Sequence, residues 1–415
     1  MKRIEYQLLM LFAALTFLGC SQDETTKSGG SESTESPVYF LAATNDAMTR
    51  GIAMPAGDLA TTTTFRVYAT QQHRQGETPS GDITAFIKPG ASSTDNVVSH
   101  HNVNIYADNP NINPYYVGVW KTNKDYFWPQ DTRLVNFYAV HPAEAPAIDD
   151  ILTTKQIVFD GTTDALSLKG QYDLMCAKIL NVHRQGYGDF VKVLPDLGDN
   201  STVVLTFQHL LSRIAFYGKL SDEVKGYGWT VQIQDISICN VNVAGTLAFN
   251  EDATSTVAAT LTPAATSTKS SVTLAMNTAS HLTLTTTSVE QDADENNVPL
   301  TSPTDVAMLM PQTLAAWNPA TEKTGTTVPT TNGGYLAIRM RIVDGDNHYH
   351  LGTASTYETV FVPFAINWAT SKAYAYTLTF GLGLNPSGIS KKQPITIECA
   401  IKPWTSTTVS GTATH

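Results

Sequence analysis

Few residues in this 415-residue chain combine the type and the spacing that chemistry needs, and the first of them is a cysteine. Cys20 follows a basic pair, Lys2 and Arg3, then an apolar run from Leu8 to Leu18 and the small Gly19. That is the layout of an export signal, and the run falls short of the about 20 apolar residues a membrane span needs. Phe17-Leu18-Gly19-Cys20 resembles a lipobox, although Phe17 and Leu18 depart from its usual Leu and small residue. Acylation at Cys20 would attach three chains, each buried CH₂ worth about 0.8 kcal/mol, and would anchor the protein firmly. The alternative is an ordinary signal peptide in which Cys20 is incidental.

Other candidates are weaker. His348 and His350 lie two apart on an expected strand, so their rings share one face as a metal pair requires. Two exposed hairpin histidines account for the same spacing more simply. Asp292, Asp294 and Glu295 form an acidic cluster that lacks the glycine of a calcium loop, which favours a solvated loop. His209 sits amid Phe207, Leu210 and Leu211 and reads as a hydrogen-bonded core histidine. Trp120 and Trp128 could form a sugar-stacking platform, against which stands packing on Pro129 and Phe137. Cys176, Cys239 and Cys399 allow one disulfide plus a free thiol, or three buried small hydrophobes. The chain has no GxSxG elbow, HExxH helix, P-loop or CxxC pair, so the expectation is a protein that is not an enzyme and needs no cofactor or metal.

The formal charge of −11, with no Lys/Arg cluster larger than a doublet, argues against nucleic acid as a partner. Charged residues make up 15% of the chain, against about 25% in typical soluble domains. Thr and Ser take their place, and Thr is β-branched and suits strand surfaces, so the bias favours an all-β protein.

The elements that must position these residues are strands. Val38 to Ala43 is a short apolar stretch, and Thr61 to Thr70 alternates Phe65, Val67 and Ala69 against Arg66, Tyr68 and Thr70, a half-buried pattern. Leu134 to Val140 reads as another strand. Val203 to Leu220 is long enough for a helix, but its Val, Phe, Ile and Tyr content and a break at Gly218 favour one long strand or two consecutive ones. Trp229 to Val243 slips phase near Asp235, which predicts a bulge. Tyr335 to Val343 and Tyr349 to Thr353 flank Asp344-Gly345-Asp346-Asn347, a hairpin signal. Ala373 to Phe380 and Ile395 to Ile401 are the last strands. The Thr-rich stretches Glu251 to Thr287 and Thr321 to Gly334 read as long loops or edge strands. Short strands without amphipathic helices between them read as β-sandwiches. Ahead of them, Ser21-Gln22-Asp23-Glu24 resembles an acidic signal for the outer face of the outer membrane, and Thr25 to Pro37 has the composition of a flexible stalk.

Several of these motifs, taken in order, resemble the fimbrillin family, the type V pilins of Gram-negative anaerobes. They are Trp120, Trp128-Pro129, Leu134 to Ala139 with His141-Pro142, Tyr172 to Met175, Leu205 to Ile214, Trp368 with Tyr374-Ala375-Tyr376, and Trp404. The family often has a glycine before Lys372, and this chain does not. The resemblance spans about Thr49 to Trp404. It implies two transthyretin-like β-sandwich domains, lipoprotein export, cleavage after an arginine and polymerisation by strand donation. Arg50-Gly51 matches the cleavage position, its alternative being an ordinary loop arginine. The last strand, with Ile395, Ile397, Cys399, Ile401 and Trp404, matches the donor.

The expected organisation is a lipoprotein signal over 1–20, a polar stalk and removable first strand over 21–50, and sandwiches over 51–198 and 199–415, divided in the break Pro195 to Ser201. The expected role is a structural or accessory subunit of a type V-like fimbria, assembled by strand exchange with other pilus subunits or itself and supporting surface adhesion. Its expected place is the cell outer membrane, as a lipid-anchored, surface-exposed lipoprotein or within a fimbrium. The competing reading is a monomeric surface lipoprotein that binds glycan or a host ligand.

Overall fold

The computed structural model describes residues 37–44, 59–71, 83–90, 92–104, 116–129, 133–159, 173–182, 191–193, 201–264, 269–278, 280–286, 297–302, 307–318, 333–381 and 395–403. All belong to one compact unit, Ser36–His415. Cys20, Arg50, Gly51, Trp404 and the cluster Asp292, Asp294 and Glu295 lie outside the described residues.

The protein is all-β. In chain order the first strands are β1 (Tyr39–Thr44), β2 (Phe65–Gln71), β3 (Thr84–Ile87), β4 (Val97–Asn104), β5 (Tyr116–Thr122), β6 (Val135–His141), β7 (Gln156–Phe159), β8 (Met175–Val182), β9 (Val191–Val193) and β10 (Ser201–His209). Next come β11 (Ser212–Leu220), the short helix α1 (Asp222–Gly226), β12 (Thr230–Asn242), β13 (Gly245–Phe249), β14 (Ala259–Pro263), β15 (Lys269–Thr273), β16 (Leu282–Leu284), β17 (Val298–Pro299), β18 (Ala307–Leu309) and β19 (Thr313–Leu314). The last are β20 (Tyr335–Val343), β21 (Tyr349–Leu351), β22 (Glu358–Pro363), β23 (Ile366–Asn367), β24 (Lys372–Phe380) and β25 (Ile395–Pro403). No helix among the described residues is long and apolar enough to cross a membrane.

A nine-stranded sheet runs β1-β5-β4-β2-β6-β8-β10-β9, with β3 paired to β2. Because β1 also pairs with β10, the sheet closes on itself through β1. Its interior is filled by alternate residues such as Phe65, Val67, Phe137, Val203, Leu205 and Phe207. Beyond it, a five-stranded sheet (β17-β11-β24-β25, with β18 on β11) and a six-stranded sheet (β15-β12-β20-β21, with β16 on β12 and β22 on β20) share one core. Phe216, Tyr376 and Leu378 from the first belong to it together with Ile233, Ile238 and Ile338 from the second. A three-stranded sheet, β14-β13-β7, ties β7 from the front of the chain to β13.

The alternation patterns locate the strands they name, with instructive differences, but β3, β4, β5, β7, β8 and β9 are not among them. The bulge falls where the phase slips, as a register shift between Ile233 and Asp235. Val203 to Leu220 forms two strands, but they part at Leu210-Leu211 and not at Gly218. Gly218 lies inside β11 because Leu300 packs there, 2.7 Å from where a Cβ would stand. β2 is buried on both faces, not half-buried, because residues 142–151 cover its other side. Tyr68 lies in that core with Ile148, whose backbone N–H donates to the Tyr68 hydroxyl at 3.0 Å. Cys176, Cys239 and Cys399 are all free, and only the first two are buried.

Candidate strand-exchange site

Two strands far apart in the chain hold the residues expected to form the first strand and the donor strand, and β1 is the first. Val38, Phe40 and Ala42 recur at every second position, so all three point to one face, and all three are buried. The chain direction makes β1 parallel to β10, with Phe40 opposite Val203 and Ala42 opposite Leu205. On its other side Phe40 stands opposite Trp120 of β5 in antiparallel register. The Val38 N–H donates to the Tyr126 carbonyl at 2.9 Å, which fixes the strand's entry. Phe40 is fully buried and meets Phe137 edge-on, ring centroids 5.7 Å apart. Leu41 faces the other way and is only half-buried. Without β1, the backbone groups of β10 that face it would lose their partners, and an apolar slot lined by Trp120, Phe137 and Val203 would open.

β25 is the second strand. It pairs antiparallel with β24 along its whole length, from Phe380 opposite Ile395 to Lys372 opposite Pro403. It stands at the end of its sheet, and among the described residues no strand pairs with its outer edge. Ile395, Ile397, Cys399 and Ile401 share one face by alternation, but cover over that face fades along the strand. Ile395 is 3% exposed, Ile397 is half-buried, and Ile401 is 65% exposed. Partial burial desolvates the Cys399 thiol and pushes its pKa up, although the residue keeps contact with solvent. A thiol held protonated in this way is a poor nucleophile.

The other candidates resolve as follows. His209 is a core histidine: it is 5% exposed, and its Nδ1 lies 2.7 Å from Asp173 Oδ2. Trp120 and Trp128 are buried against Phe65 and Phe137, so neither offers a ring face as a sugar platform. Trp368 is buried and its Nε1–H donates to the Tyr376 hydroxyl at 2.8 Å, while burial pushes the Tyr376 phenol upward. His348 and His350 lie by the β20–β21 turn, both against Asp344. The part that sequence reasoning missed is the seat of β1 between β5 and β10. The alternation of Val38, Phe40 and Ala42 was its one local signal.

The pattern that defines the fimbrillin-like family matches residues 49–404 of the chain. No curated protein matches it significantly. Among solved structures, a fimbrial protein from Bacteroides vulgatus is similar at 15% identity and a TM-score of 0.42, over 89% of this chain and 100% of that one. The tip fimbrial protein Mfa3 from Porphyromonas gingivalis, with a C-terminal truncation, aligns at 10% identity and a TM-score of 0.28, over 89% of this chain and 100% of its own.

Proposed function

The chain belongs to the fimbrillin-like family, and from that premise we propose that it is a fimbrial subunit which exchanges its first strand for a partner's last. The coarser role, a structural subunit of fimbriae or of cell adhesion at the cell surface, follows from the family. The finer steps are these. The chain is exported, acylated at Cys20 and held at the outer membrane. Cleavage between Arg50 and Gly51 then cuts the link that follows β1 and releases it with the stalk. The slot left behind accepts the C-terminal strand of another subunit, whose main chain bonds to the freed edges of β5 and β10 and whose alternate side chains set the register.

The observation that carries this reading is the position of β1 as the strand that closes its sheet. Its sockets hold Val38, Phe40 and Ala42 at alternate positions. Ile395, Ile397, Cys399 and Ile401 repeat with the same period, so three consecutive members of that row can fill three sockets. The uncovered face of β25 supports its availability. We also propose a division of the chain into two sandwiches, with the changeover moved from residue 199 to Leu210-Leu211. β10 pairs with β1, β8 and β9, whereas β11 pairs with β17, β18 and β24.

The test is to treat purified protein with an Arg-specific protease and follow its size. The expected result is loss of the segment through Arg50, then oligomers that do not form when residues after Pro394 are deleted. A trimmed protein that stays monomeric alongside its partner subunits would defeat the proposal. Fatty-acid labelling of the wild type that vanishes in Cys20→Ser is expected, and label that persists in that variant would refute the lipid anchor. One observation favours the second reading, a monomeric surface lipoprotein that binds glycan or a host ligand: β25 already completes its own sheet on β24. On that reading, cleavage leaves the oligomeric state unchanged.

A further inference from the structure

The turn that joins β20 to β21 gathers two carboxylates and two imidazoles within the seven residues Asp344 to His350. Ligand atoms of Asp344, Asp346 and His348 all lie within 4.8 Å of one another. The His348 Nδ1 stands 3.4 Å from Asp344 Oδ2, and the His350 Nε2 stands 3.1 Å from the same oxygen. We propose that this turn is a binding site for a divalent ion of zinc type, held by Asp344, Asp346 and His348, with His350 positioning the Asp344 carboxylate.

Distance supports the assignment first. Ligands about 2.0–2.2 Å from a tetrahedral zinc lie about 3.3–3.6 Å from each other, so the Asp344–His348 separation is already that of neighbouring ligands. Donor type decides which ion. Imidazole nitrogen mixed with carboxylate oxygen suits zinc and its neighbours, whereas calcium and magnesium take oxygen alone.

The turn is also preorganised. The Asp344 Oδ1 accepts the backbone N–H groups of Asp346 and His348, each at 2.9 Å, which turns Oδ2 toward the histidines. The His350 ring stacks on Trp229, centroids 4.0 Å apart and planes 20° apart, so its orientation toward Asp344 is fixed from outside the hairpin. A ring held in this way, bonded to a ligating carboxylate, is the outer-shell support that tunes metal sites. The His348 side chain is 75% exposed, which leaves the ion a free entry path.

The experiment titrates Zn²⁺ calorimetrically into the full chain. One ion per chain is expected. His348→Ala and Asp344→Asn should each abolish binding, and His350→Ala should weaken it by about 10- to 100-fold. His281→Ala, a change outside the cluster, should alter nothing. Cu²⁺ supplies a second readout, because a bound paramagnetic ion should quench Trp229 through its stacked histidine, and Trp229→Phe should remove that part of the quench. Circular dichroism checks that each variant keeps its fold. Absence of Zn²⁺ binding by the wild-type chain, or affinity unchanged in folded His348→Ala or Asp344→Asn, overturns the proposal.

Discussion

At the scale of single residues, Phe40 and Leu41 are neighbours with opposite fates. Phe40 fills the seam of the first sheet beside Phe137, and Leu41 faces away, half-buried. Phe40→Ala removes a whole buried ring and leaves a cavity, at an expected cost of about 3–5 kcal/mol. Leu41→Ala should cost only a fraction of that. Denaturant midpoints of the two variants measure the difference, and equal midpoints would show that β1 sits in another register. Trp368 provides a second case. Trp368→Phe keeps an aromatic ring but leaves the buried Tyr376 hydroxyl without its donor, at a cost of about 1–3 kcal/mol by chemical unfolding.

At the scale of elements, β25 is a strand with a firm end and a loose one. Ile395→Ala, under full cover, should cost about 2–5 kcal/mol. Ile401→Ser, at the exposed end, should change the stability of the monomer by no more than about 0.5 kcal/mol. If the strand is a donor, Ile401→Ser should nevertheless slow assembly, because its side chain would then be the one that enters a socket. Assembly kinetics and monomer stability measured on the same variant separate the two roles. The residue just after β21 sets another local constraint. Gly352 has φ +72°, and a Cβ there would stand 2.7 Å from the Thr356 carbonyl oxygen. Gly352→Ala should therefore lower thermal stability by more than about 1 kcal/mol.

At the scale of the whole molecule, the two halves of the chain are coupled. β7 pairs with β13 from Gln156 opposite Ala248 to Phe159 opposite Gly245, and Tyr138 meets Phe249 edge-on at 5.3 Å. Tyr68, Tyr138 and Ile157 belong to the same continuous core as Leu247, Ile338 and Leu378. Unfolding of Ser36–His415 should therefore be a single cooperative transition. Two well-separated calorimetric peaks would show that the shared core contributes little.

Side-chain alternation is local and survives in any tertiary context, so it was enough to give the class of the elements and the extent of the strands it marked. The β12 bulge, the β20–β21 hairpin and the core place of His209 were legible for that reason, whereas the break in Val203 to Leu220 is expected at Gly218 and falls at Leu210-Leu211. The resemblance to fimbrillins was legible in the same way, through short motifs kept in order. What β1 does was not legible, because it depends on pairing with β10 more than 150 residues further on, and hydrophobic alternation does not name its partner. Nor could spacing show that Tyr68 is buried along with Phe65, since a segment some 80 residues later covers it. The turn cluster divides the same way. Spacing alone suggested that His348 and His350 share a face, but folding of the hairpin turns Asp344 toward both, and packing across the sheet brings Trp229 against one of them.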